Sequence, residues 1–61
     1  MAYVTDANGE HWDYRQVSAV LERRRTSSSV WMMVAPGDFL SMTAAELRFV
    51  ADVLEHREQP R

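Results

Sequence analysis

The sequence predicts a small single-domain α+β protein, with two β-hairpins and two helices in the order ββαββα and the helices on one face of an antiparallel sheet. Three observations lead there. Asn8-Gly9 is a strong hairpin signal between two short β-prone runs. The Val30–Ala35 stretch, Val-Trp-Met-Met-Val-Ala, has no polar residue on either alternate face, as in a buried strand. Thr43-Ala-Ala-Glu46 has the spacing of a capping box just before an apolar run. The chain of 61 residues is one domain, 1–61, because a chain this short supports a single core.

Residues 2–14 come first. With Asn8 and Gly9 as a two-residue loop, Ala7 pairs with Glu10, Thr5 with Trp12 and Tyr3 with Tyr14. That register gathers Tyr3, Trp12 and Tyr14 on one face, where cross-strand aromatics pack. A mostly irregular lead into a helix is the alternative.

A helix is expected from Tyr14 to Arg25. Asp13 is a suitable N-cap, and Gln16 lies three residues on. Val17, Val20 and Leu21 fall on one helical stripe. Arg23, Arg24 and Arg25 occupy its last turn, where cations favour the helix dipole. Thr26-Ser27-Ser28-Ser29 is a loop.

Strand Val30–Ala35 follows, then a Pro36-Gly37-Asp38 turn and a returning strand at Phe39–Met42. Ser41 or Thr43 caps a second helix from Ala44 to Glu58, closed by Pro60. Its core stripe is Leu47, Val50, Ala51 and Leu54; Phe49 and Val53 widen the apolar arc beyond one face. Val17–Arg24 and Val50–Arg57 are identical at five of eight positions. Two ββα repeats would account for this, and so would convergence of amphipathic helices.

Composition limits function. There is no Cys, so disulfide frameworks and thiolate metal sites are excluded. No apolar run approaches the ~18 residues of a membrane span, and the N-terminus does not resemble a signal peptide. The expected location is cytoplasmic, with no membrane contact. Every basic residue is Arg, and Ile is absent too, which suggests a high-GC bacterium such as an actinobacterium, or its phage. His11 and His56 lie in different elements, the serines sit in no nucleophile elbow, and two separated Gly make no phosphate loop. No catalytic residue, metal ligand or cofactor is assigned, and the chain is expected not to be an enzyme.

Two functional readings remain. The first is a small regulatory protein acting through protein binding or as a homodimer. Its basis is apolar surplus: a strand with two apolar faces and a helix wider than one stripe. Trp31, Met33, Phe49 and Val53 are the candidate contact residues. The second is a nucleic-acid-binding accessory protein using Arg15, Arg23, Arg24 and Arg25. The formal charge of −2 weighs against it.

Overall fold

The computed structural model describes residues 3–56, and side chains to residue 55. The predicted helix end at Glu58 and its stop at Pro60 lie outside the described residues. The fold is α+β: a four-stranded antiparallel sheet in the order β1-β2-β3-β4, followed by a helix that packs on one face. The strands are β1 (Val4–Thr5), β2 (His11–Val17), β3 (Val20–Arg25) and β4 (Met32–Met33). A 3₁₀ helix, Pro36–Ser41, leads into α1 (Ala44–His56).

The first hairpin forms, but one residue out of the expected register. Val4 pairs with Trp12 and Thr5 with His11. The loop is longer than two residues: Gly9 donates to the Asp6 carbonyl at 3.1 Å, and Asp6 donates to the Glu10 carbonyl at 2.8 Å. Gly9 has φ 85°. This is the three-residue loop in which a turn ends on a left-handed Gly bulge. Asp6 holds it together. Its Oδ1 accepts from the Asn8 and Glu10 amides at 2.8 and 2.9 Å, and its Oδ2 accepts from the Trp12 indole at 2.8 Å. The one-residue slip moves Val4 to the face of Trp12 and Tyr14 and sends Tyr3 to the opposite face, where its ring lies 4.6 Å from that of His11.

The indole hydrogen bond, followed by the two amides, holds the Asp6 carboxyl below its ordinary value of 3.8. A depressed carboxylate stabilises the fold above its unfolded pKa, and that contribution disappears as pH falls through the folded value. Stability is therefore expected to drop below about pH 4, and Asp6→Asn should flatten that drop. Urea titrations of both proteins across the acid range check this.

The expected helix from Tyr14 to Arg25 is instead the longest hairpin of the sheet. Strands β2 and β3 pair from Trp12↔Arg25 to Val17↔Val20. Ser18 and Ala19 form the loop, with Ser18 at φ 55°. The proposed repeat therefore has no structural counterpart: Val17–Arg24 is part of a β-hairpin, while residues 50–56 of its sequence match are helical and Arg57 lies outside the described residues. A non-Gly residue at positive φ is strained by about 1–2 kcal/mol. Gly there would relieve this and lose part of it to chain entropy. Ser18→Gly is thus expected to stabilise the domain by about 0.5–1 kcal/mol, as read by thermal melting.

Strand β4 agrees with the expected strand, although its ladder is short: Met32 pairs with Arg23 and Met33 with Glu22. Phe39–Met42 is not a returning strand. Pro36 at the first helical position presets φ, and Asp38 Oδ2 accepts the Ala35 amide at 2.9 Å, so this stretch coils into the 3₁₀ helix. The second helix begins as expected. Thr43 Oγ1 accepts the Glu46 amide at 3.1 Å, and Glu46 Oε1 accepts the Thr43 amide at 2.8 Å.

The face α1 buries differs from the expected one. Val50 is buried, while Phe49 and Val53 pack against the core. Leu47, Ala51 and Leu54 are exposed. The capping box explains the rotation: Glu46 is buried in making it, and the residues three, four and seven positions on follow it inward. The core is Trp12, Tyr14, Val34 and Val50, bordered by Val4, Leu21, Met42, Phe49 and Val53. The Tyr14 and Phe49 rings meet at 5.9 Å. Burial pushes the Tyr14 phenol above its ordinary pKa, and a long 3.5 Å contact from Arg23 Nη1 opposes that shift.

Candidate functional site

The sheet has two unlike faces because strand residues alternate. The helix-side face carries Val4, Trp12, Tyr14, Leu21, Arg23, Arg25, Met32 and Val34. The other face is open. It carries Tyr3, His11, Asp13, Arg15, Val17, Val20, Glu22, Arg24 and Met33, with Trp31 opposite Arg24 where the β3–β4 register continues past Met32. No element among the described residues covers it.

Trp31 is the centre of this open face. The Arg15 guanidinium lies 4.1 Å from its ring centroid and that of Arg24 lies 5.0 Å away. Both arginines are tied in turn to carboxylates across the β2–β3 ladder. Arg15 contacts Glu22 at 2.8 Å, and Arg24 lies 3.8 Å from Asp13. Arg24 Nη1 also donates to the Ser28 carbonyl at 2.7 Å, which anchors the loop leading to Trp31. Each cation–π contact is worth about 0.5–1 kcal/mol at such exposure. Together they hold a half-buried indole in one orientation. Met33 stands beside it at 70% exposure, with Val17 at 46% and Val20 at 38% along the same face.

The same device recurs on the other face, turned inward. Arg23 and Arg25 lie 4.3 and 4.9 Å from the Trp12 ring centroid. Arg23 is 3.6 Å from Asp38 and Arg25 is 3.1 Å from Glu10. The four candidate arginines therefore do not converge. Arg15 and Arg24 share the open face, Arg23 and Arg25 point to the helix side, and all four have a carboxylate within 4 Å. Of the four candidate contact residues, Trp31 and Met33 meet on the open face. Phe49 and Val53 are half-buried on α1 against the domain's own core.

Alternation along Val30–Ala35 was enough to place Trp31 and Met33 together. The clamp of Arg15 and Arg24 was hidden, because it exists only once β2 and β3 are strands in this register. Among the described residues, no group of three or more His, Asp or Glu side chains is placed to hold a metal ion, and no helix is long and apolar enough to cross a membrane. No protein-family model, curated protein or solved structure matches the chain.

Proposed function

We propose that this chain is a small non-catalytic binding module, regulatory in role, that docks its open sheet face on a protein partner or on another copy of itself. The observation that carries this reading is the one-sided sheet. The helix covers Trp12, Tyr14 and Val34, and leaves Trp31, Met33, Val17 and Val20 facing outward. Exposed apolar side chains grouped on one face of a small domain mark a contact surface. Met adapts to a partner's shape, and Trp is the residue most enriched at binding hot spots. The arginine clamp adds to this, because an indole already ordered loses little entropy on binding. The Arg-only basic composition supports a high-GC bacterial or phage source, with the cytoplasm as the working compartment.

Phosphate recognition is the competing reading. It is less well supported, since the candidate arginines are split between two faces and each has a carboxylate beside it. Retention of lysate components on the immobilised chain, with Met33→Asp as control, tests the proposal. Specific protein retained by the wild type and lost from the folded Met33→Asp variant is the expected result. Nucleic acid retained instead, with a steep loss on raising salt, would overturn it.

A further inference from the structure

The open face ends at a strand edge whose backbone is as unpartnered as its side chains. Strand β4 is one of the two outer strands of the sheet, β1 being the other. The Val34 amide donates to the Leu21 carbonyl at 2.9 Å, which fixes the parity of the strand: Met32 and Val34 bond toward β3, and their odd-numbered neighbours point away from it. The Ala35 amide confirms this, since it points outward and is capped by Asp38 Oδ2. Trp31 and Met33 are thus left with outward N–H and C=O groups that no loop backbone or side chain bonds among the described residues. Protein edges of this kind are normally blunted by charge, Pro or a bulge. Val30–Ala35 has neither a charge nor a Pro, and Val30, Met32 and Met33 are 63%, 44% and 70% exposed.

Resting on the binding-module reading, we propose that the occupant of this edge is a second copy of the chain, paired antiparallel through β4 about a twofold axis at Met32, so that two sheets become one. The strand is its own complement. Its outward-bonding residues, Trp31 and Met33, are equally spaced about Met32. Antiparallel pairing centred there sets Trp31 opposite Met33 of the second copy and Met33 opposite its Trp31, and both pairs exchange N–H···O bonds. On the open face each indole gains a thioether as its cross-strand neighbour, a favourable sulfur–aromatic contact. On the helix side Met32 meets Met32, and Val30 meets Val34.

Charge fits as well. Reading across the joint, Asp13, Arg24 and Trp31 of one copy are followed by Met33, Glu22 and Arg15 of the other. On the open face the charges nearest the seam, Arg24 and Glu22, are opposite in sign. On the helix side Arg23 faces its own copy across the Met32 pair, with Asp38 3.6 Å from it to offset the repulsion. A foreign strand would satisfy the same backbone groups, but nothing along this edge selects its side chains.

Sedimentation of the full chain, together with hydrogen exchange of individual amides, tests the pairing. The wild type is expected to sediment as a dimer at micromolar concentration. The Trp31 and Met33 amides should become more protected with concentration, on the order of tenfold or more, while solvent-facing loop amides stay unchanged. Met33→Pro removes an outward donor without touching the β3–β4 ladder and should give a folded monomer. Met33→Lys, which keeps the backbone and places like charges near the axis, should do the same if the Pro variant does not fold. A dimer whose Trp31 and Met33 amides exchange freely would overturn edge pairing and leave the binding-module reading intact. A monomer at every concentration would overturn self-association. If an extended foreign peptide protects those amides in the monomer, the second copy is the wrong occupant.

Discussion

Trp12→Ala is expected to leave the chain unfolded at room temperature. Trp12 is 6% exposed and joins three parts of the molecule. Its ring lies in the core with Tyr14, Val34 and Val50. Its indole N–H donates to Asp6, which organises the first hairpin loop. Its faces carry the Arg23 and Arg25 guanidinium groups. Truncating a buried Trp to Ala costs about 3–5 kcal/mol. At about 0.05–0.15 kcal/mol per residue, a domain of this length has only about 3–9 kcal/mol in total. The loss is therefore comparable to the whole stability of the fold. Far-UV circular dichroism gives the direct reading, and fluorescence of Trp31, the other tryptophan, reports on the open face. Trp12→Phe keeps most of the apolar burial and loses the bond to Asp6, so it should fold with lowered stability. A cooperative melt and an unchanged Trp31 spectrum in Trp12→Ala would mean that the core is not built around this ring.

The segment from Asp13 to Arg25 shows why part of this fold was legible in the sequence and part was not. Asp13 and Gln16 imitate a capping box, Val17, Val20 and Leu21 have helical spacing, and Glu22 to Arg25 are good helix formers. The competing β alternation is present, with Trp12, Tyr14 and Gln16 on one strand and Leu21, Arg23 and Arg25 on the next. It is masked because half of its inward positions are polar. Arg23 and Arg25 occupy them by laying guanidinium groups on an aromatic ring, a contact that depends on a partner strand and leaves no local periodicity. Ser18-Ala19 gives no warning of a turn, since Gly, Asn or Asp is the usual choice where φ is positive. The Thr43 and Glu46 box, by contrast, is satisfied by residues three apart, and local sequence suffices for it. The split faces of Val30–Ala35 were equally readable. Trp31 and Met33 were therefore placed together from sequence, while the arginines that clamp the indole could be found only from the cross-strand register.

Val50→Asp is expected to unfold the domain, and Leu54→Lys to be tolerated. Both positions belong to the apolar stripe that spacing alone assigns to the core, yet Val50 is 4% exposed and Leu54 is 37% exposed. A carboxylate at Val50 would enter the Trp12–Tyr14–Val34 cluster, where the bordering cation, Arg23, is already engaged by the Trp12 ring and Asp38. An unpaired buried charge costs several kcal/mol, again comparable to the total stability. At Leu54 a Lys can extend into water, and near the C-terminal end of α1 its charge suits the helix dipole, so the change should stay within about 1 kcal/mol. Urea denaturation of the two variants checks the contrast. Equal losses would mean that α1 buries the Leu47–Leu54 side instead of the Phe49–Val53 side. The pair also bears on assembly, because Leu47 and Leu54 are exposed apolar residues of α1. If copies associate through the β4 edge, Leu54→Lys keeps its dimer while Met33→Lys loses it. A dimer lost on Leu54→Lys and kept on Met33→Lys would move the contact from the sheet to the helix.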